Sequence, residues 1–348
     1  MMGTYRLRMK FTVLSLAVLF CVVLSPLCSG QAFAASGDNV FWNVPSGEWS
    51  NPANWQGGQL PAADENAIIA YDQAATISSG TVSAGGVYVG NTNRPGTLTI
   101  SGGALNSNSA YIGSVGGAGT ARVSGAGSVW NADIYTINVG AGATGSLTID
   151  KGGTVVSGHG TIGRDAGISG TVVVDGAGSS WTIQNGGLCI GDSGTGTLTV
   201  SNGGKIIHGT LAPIPLGFNS GGTGRGILNI GDGAGAGILK VSGVQGLNGG
   251  GEVRFNHDGT AGNPYYFTQD GSAGGTAVSL DGNLSVKHLA GYTVLRGGNT
   301  YTGGTTISGG LINFAAANNF GTGNITLDGG GLQWATGNTA DISGRLNA

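Results

Sequence analysis

The sequence predicts an all-β chain wound as a β-solenoid, and three observations carry that prediction. The first is composition: 73 of the 348 residues are glycine, with 9% charged and 7% aromatic residues. Glycine costs a helix about 0.5–1 kcal/mol per position relative to alanine, so long helices are all but excluded. With 8 prolines and no strict Gly-X-Y period, collagen is excluded as well. The 39% of hydrophobic residues and a net charge of −3 do not suit a solvated coil. The second observation is an apolar–glycine pair that recurs along the chain. The third is a glycine-headed alternating stretch that follows each pair.

The pairs are Val89-Gly90, Ile112-Gly113, Val139-Gly140, Ile162-Gly163, Ile190-Gly191 and Leu216-Gly217. Their glycines lie 23, 27, 23, 28 and 26 residues apart, so a unit of about 50 residues overlies one of about 25. The stretches read GTLTI from Gly96, GTARV from Gly119, GSLTI from Gly145, GTVVV from Gly170, GTLTV from Gly196 and GILNI from Gly226. Strict alternation marks a half-buried strand. The expected inward set is Leu98/Ile100, Ala121/Val123, Leu147/Ile149, Val172/Val174, Leu198/Val200 and Leu228/Ile230. Thr97, Thr99, Thr148 and Thr199 fall on the other face. A glycine turn closes each strand, and GAGSVW and GAGSSW end at Trp130 and Trp181, 51 residues apart.

One such unit cannot fold alone. Two inward aliphatics contribute roughly 3–6 kcal/mol, and ordering about 25 residues costs ~1.5 kcal/mol each. Stacking on neighbours is therefore required, and roughly a dozen coils at a spacing of ~4.8 Å make a rod on the order of 60 Å long. A propeller is the competing reading, but its blades need about 40–50 residues and four strands.

The ends and the irregular stretches come next. Residues 1–34 read as a secretory signal: Arg6, Arg8 and Lys10, an apolar run from Phe11 to Leu27, then Ala32-Phe33-Ala34. Cleavage between Ala34 and Ala35 is expected. A lipoprotein signal does not fit, because Leu27 precedes Cys28. Removal of the signal takes Cys21 and Cys28 with it, leaves Cys189, and moves the net charge from −3 to −6. An acidic chain without a basic patch argues against a nucleic-acid partner.

Residues 41–70 hold Trp42, Trp49 and Trp55 among turn formers, suiting an N-terminal cap better than an aromatic carbohydrate platform. Residues 249–275 lose the period and carry Arg254, His257, Asp258, Tyr265, Tyr266 and Phe267. They read as an atypical coil with core aromatics, or alternatively as a ligand-contacting loop. The expected division is a signal over 1–34, a cap and first coil over 35–80, regular coils over 81–248, irregular coils over 249–290 and a final repeat over 291–348.

No motif points to catalysis, a cofactor or a metal. Gly191-Asp192-Ser193-Gly194 matches the string around a serine-protease nucleophile. Yet Gly191 belongs to the fifth apolar–glycine pair, and Ser193 sits in the turn before GTLTV. His159, His208, His257 and His288 are dispersed, without the spacing of a zinc site. Asp150 and Asp175 occupy corresponding turns, where Ser101, Ser124 and Ser201 stand elsewhere, which is ordinary turn chemistry.

NTYTGGTTISGGLINF, from Asn299 to Phe314, and GTGNITLDGGGLQW, from Gly321 to Trp334, resemble the passenger-associated β-strand repeat of type V autotransporters. Asn299, Thr300, Tyr301, Thr302, Gly303 and Gly304 carry the signature, and the earlier repeats resemble large passengers over about residues 41–345. The resemblance implies a right-handed parallel β-helix, exported and then displayed at the outer membrane or released from a Gram-negative cell. It implies adhesion, aggregation or colonisation as the role. Host-surface, matrix or glycan ligands, or further copies of the chain, are the expected partners. An outer-membrane translocator barrel is the other implied partner; its absence after Ala348 leads us to expect a fragment of a longer product. The expected function is thus a non-catalytic structural or adhesion stalk, the alternative being a β-helical polysaccharide-acting enzyme with its site near residues 249–275.

Overall fold

The computed structural model describes residues 37–210, 212–217, 223–241 and 246–347. The signal, with Ala34 and Ala35, lies outside the described residues. Among the described residues strands dominate, joined by three short 3-10 turns, and every named strand pair is parallel. The chain is a parallel β-helix.

The glycine-headed stretches form its first wall, a 13-stranded parallel sheet running from Ser46–Glu48 to Leu346–Asn347. Gly96, Gly119, Gly145, Gly170, Gly196 and Gly226 stand in one register column. The inward residues follow from that register. Each of the twelve expected inward side chains, Leu98 to Ile230, is at most 1% exposed. The alternation that is only a pattern in sequence becomes the core of this wall.

Two further walls complete the coil, and both belong to a 14-stranded sheet. Thr81–Val89 and Ala104–Ser114 are long enough to run along both walls before the chain divides. The front half of Ala104–Ser114 pairs with Val129–Asn131, and its rear half with Thr136–Ala141. The second wall continues through Thr154–Ser157, Ser180–Ile183, Lys205–His208 and Ile238–Val241. The third continues through His159–Ile162, Leu188–Ile190, Ile214–Leu216 and Leu247–Gly249. The apolar member of each apolar–glycine pair, from Val89 to Leu216, is an inward residue of the third wall, fully buried.

The 50-residue super-repeat has a packing cause. On the second wall Leu105, Trp130, Val155, Trp181, Ile206 and Leu239 stack in register. Trp130 and Trp181 stand two rungs apart with the smaller Val155 on the rung between them, which gives each indole room in the wall. Each indole reaches one coil back: Trp130 Nε1 donates to Ser107 Oγ at 3.0 Å, and Trp181 Nε1 to Ser157 Oγ at 2.9 Å.

Beyond residue 285 the coil narrows. Glu252–Asn256 still extends the first wall and pairs with Ser285–Ala290. The pairings Val286↔Thr305, Thr305↔Ile325 and Ile325↔Leu346 then advance by 19, 20 and 21 residues. A separate four-stranded sheet of Tyr265–Tyr266, Tyr292–Leu295, Leu311–Phe314 and Gly331–Trp334 replaces the earlier walls. Tyr301 and Phe320 fill this narrower interior, with Phe320 4.9 Å from Phe314 edge to face.

Candidate functional site

Glycines at the coil corners are where backbone geometry leaves least choice. Gly90, Gly113, Gly140, Gly163, Gly191 and Gly217 all adopt φ between +70° and +79°. At Gly191 a Cβ would stand 2.1 Å from the carbonyl oxygen of Arg225 in the next coil. These residues pack backbone on backbone and present no side-chain chemistry. Ser193 lies two residues on, where its N–H donates to Arg164 O at 3.0 Å within the corner.

Outside the first wall runs a ladder of short hydroxyl side chains. Thr97, Thr120, Ser146, Thr171 and Thr197 occupy one register column, with Thr99, Arg122, Thr148, Val173 and Thr199 beside it. All are at least partly exposed. Arg122 is ion-paired with Asp150. Burial pushes the Asp150 carboxyl up, but hydrogen bonds from Arg122 and Ser124 and the charges of Arg122 and Lys151 outweigh it and hold it below the usual range. Asp175, in register with Asp150, accepts from Ser201 Oγ and Asn202 Nδ2, each at 2.7 Å. The two aspartates are thus held by neighbouring side chains.

The N-terminal tryptophans do not form a surface platform. Trp42, Trp49 and Trp55 are 3%, 0% and 1% exposed and pack edge to face at 4.9 and 4.7 Å. Trp55 Nε1 donates to Trp49 O at 2.8 Å. Their faces are unavailable to a sugar ring.

Around His257 the interior turns polar. Phe255 and Phe267 are core residues in edge-to-face contact at 5.0 Å, and Tyr265 lies beside them. His257 and His288 are 1% and 0% exposed, and Thr293 is fully buried between them. Gly259 N–H donates to His257 Nδ1 at 3.1 Å, and His257 Nε2 lies 2.8 Å from Thr293 Oγ1. His288 Nε2 lies 2.9 Å from the same oxygen, while His288 Nδ1 lies 2.7 Å from Gly309 O.

Gly309 O can only accept, so His288 carries its proton on Nδ1; Gly259 N–H can only donate, so His257 carries its proton on Nε2. The Thr293 hydroxyl then accepts from His257 and donates to His288. Both rings are therefore neutral. Burial, and then the neighbouring His288, push His257 down to about 4, and burial lowers His288 too. Asp258 is exposed, next to a hollow of about 130 Å³ lined by His257, Gly259, Asn263, Pro264 and Tyr265. With both nitrogens engaged inside the core, His257 is poorly placed to exchange protons with a substrate in that hollow.

The segment carrying the passenger-like signature divides its residues between core and surface. Asn299 is 3% exposed and ties three coils together. Its Oδ1 accepts from Leu280 N–H at 3.0 Å, and its Nδ2 donates to Asn319 O at 2.6 Å. Tyr301 is fully buried, its hydroxyl 2.6 Å from Thr305 Oγ1. Thr300 and Thr302 bond outward to Asp281 and Asn283. Gly303 and Gly304 line a polar groove of about 290 Å³ with Thr302, Thr306, Asn324 and Thr326.

Asn299→Ala leaves a buried N–H and a buried carbonyl without partners. It should lower stability by about 2–4 kcal/mol, read by urea denaturation followed by tryptophan fluorescence, to which Trp334 two coils on contributes. A loss below about 0.5 kcal/mol would show that the stitch is dispensable.

Sequence reasoning missed the His257–Thr293–His288 chain and the anchoring of Arg345. The Arg345 guanidinium donates to Ala317 O at 3.2 Å and Phe320 O at 3.0 Å. No sequence signal marks either, because the contacts that close them join partners 21 to 36 residues apart, which meet only through the winding. Among the described residues no group of three or more His, Cys, Asp or Glu could hold a metal ion.

Comparison with known proteins gives partial matches. The chain is 33% identical over 211 residues to the uncharacterized lipoprotein YdeK of Escherichia coli (strain K12), covering 54% of this chain and 14% of that protein. It is 34% identical over 131 residues to the adhesin BmaC autotransporter of Brucella suis biovar 1 (strain 1330), covering 34% of this chain and 4% of the adhesin. The chain thus spans a small part of the length of these relatives. No family model matches, and no solved structure matches.

Proposed function

We propose that this chain is a passenger-type β-helix, exported by type V secretion and displayed at or released from the surface of a Gram-negative cell, acting as a non-catalytic adhesion stalk. The observation that carries this reading is the continuous parallel ladder of 13 strands along one wall. Its inward positions are taken up by folding, and its outward positions present short hydroxyl side chains along the rod. The partial similarity to an autotransporter adhesin supports the same role. The partners proposed are host-surface, matrix or glycan ligands or further copies of the chain, together with an outer-membrane translocator barrel.

A second reading has one observation behind it: the hollow beside His257, Asp258 and Tyr265 could seat part of a saccharide. The engagement of both His257 nitrogens argues against proton transfer there. One experiment separates the two. Purified protein is assayed for binding to immobilised matrix proteins and glycan arrays, and in parallel for depolymerisation of a polysaccharide panel. The stalk reading expects binding without turnover. Turnover abolished in Asp258→Ala would replace it with the enzyme reading.

A further inference from the structure

We propose that the His257–Thr293–His288 chain is an acid-opened joint between the three-walled coils and the narrow coils that follow them. The four hydrogen bonds of the chain run through three successive turns of the helix. Gly259 and His257 belong to the first, His288 and Thr293 to the second, and Gly309 to the third. The joint lies where the coil step falls from the 33 residues of Glu252↔Ser285 to about 20.

The chain is satisfied in one protonation state only. A proton added at His257 Nδ1 points at the Gly259 N–H, donor against donor. A proton added at His288 Nε2 displaces the Thr293 hydroxyl proton from its acceptor. Either event also places a cation in the core. The surroundings offer little to offset it. Tyr265 lies 5.1 Å from the His257 ring, Phe255 lies 6.1 Å from His288, and the two imidazoles are 6.1 Å apart. Gly291 packs on His257 and Gly310 on His288. Of the nearby charges only Asp258, exposed beside His257, favours a cation. Arg254 and Lys287 stand in the outward register beside the two rings, and Arg254 is ion-paired with Glu252. Among the described residues neither ring is hydrogen-bonded to a carboxylate.

The sign follows from linkage. Both imidazoles titrate lower in the folded chain than the ordinary 6.5, so opened chains bind more protons than closed ones. The stabilisation is complete above pH 6.5 and is lost as the pH falls from 6.5 toward about 4. Across that window one imidazole raises the opened fraction about tenfold per pH unit, and two raise it up to about a hundredfold. Coils of a solenoid contact only their neighbours, so failure at this junction uncouples the segment after residue 285 and leaves the wider coils wound. It also frees the strand edge of Glu252–Asn256 for pairing with another chain.

The test is hydrogen exchange of the full-length chain from pH 7.5 to 4.5, corrected for intrinsic exchange and read by peptide. Opening in peptides spanning 285–314 should rise about ten- to a hundredfold per pH unit below 6.5, relative to the histidine-free peptides spanning 96–124. Peptides around His159 and the separately buried His208 are left out of the ratio. His257→Gln combined with His288→Gln should be less protected at pH 7.5 and flat down to 4.5. Nitrogen-15 NMR of the unsubstituted protein at pH 7.5 should find the proton on Nε2 of His257 and on Nδ1 of His288. Equal loss of protection in both regions, an acid response retained in the double variant, or the opposite tautomers would overturn the proposal.

Discussion

Trp181→Ala is expected to lower stability by about 3–5 kcal/mol, among the largest single effects available in this chain. The indole is fully buried on the second wall, with Val155 and Ile206 as its register neighbours. Its removal leaves a cavity of indole size and takes the partner from Ser157 Oγ. The neighbouring backbone cannot collapse into the space, because the parallel ladder holds each rung about 4.8 Å from the next. Gly160 shows how closely the site is fitted: a Cβ there would meet the indole at 2.7 Å. Trp181→Phe keeps part of the volume and should cost less than half as much. Val155→Trp should also destabilise, because three consecutive indoles would then overfill the wall. Urea unfolding followed by hydrogen exchange in residues 154–208 reads all three. A cost below about 1 kcal/mol for Trp181→Ala would remove the packing explanation of the 50-residue period.

Gly163→Ala should be comparably damaging for a different reason, and Gly167→Ala supplies the control. Both glycines have positive φ, +70° and +75°. A Cβ at Gly163 would lie 2.3 Å from Thr195 O and 2.4 Å from Thr195 C, whereas nothing lies within 4 Å of one at Gly167. Gly167→Ala should therefore cost only the left-handed conformational penalty, about 1–2 kcal/mol. Gly163→Ala must in addition push two coils apart, and a total above about 3 kcal/mol is expected. The comparison uses thermal or urea unfolding of the two variants side by side. Equal losses would mean that the corner glycines serve conformation alone and not the approach of neighbouring coils.

Much of the fold is legible in the residues. The alternation in GTLTI and its kin separates the core-facing residues of the first wall from Thr97, Thr99 and Thr148 outside. That works because a strand's period of two is a local property of the backbone. The apolar–glycine pairs mark a second kind of position, where a buried residue precedes a corner. The two further walls were less legible. Val129–Asn131 and Leu188–Ile190 are three residues each, too short for a periodic signal, and are held in place by their register neighbours. Residues 41–70 and 249–275 stood out by composition, yet whether their aromatics faced solvent or core depended on what was packed against them. In both segments Trp42, Trp49, Trp55, Phe255 and Phe267 went inward.

By itself the sequence determined the class of fold, the spacing of the regular coils before residue 250 and the inward set of one wall, because each rests on local alternation and on glycine's access to positive φ. Only the tertiary structure decided which side chains meet across coils: Trp181 with Ser157, Asn299 with Leu280 and Asn319, and His257 with Thr293 and His288. Those contacts depend on the number of residues in each turn of the helix, summed over the walls and corners between the partners. The column from Gly96 to Gly226 stays in register although its intervals run from 23 to 30 residues, because the corners absorb the difference, so the pairing is a property of the winding and not of any segment read alone.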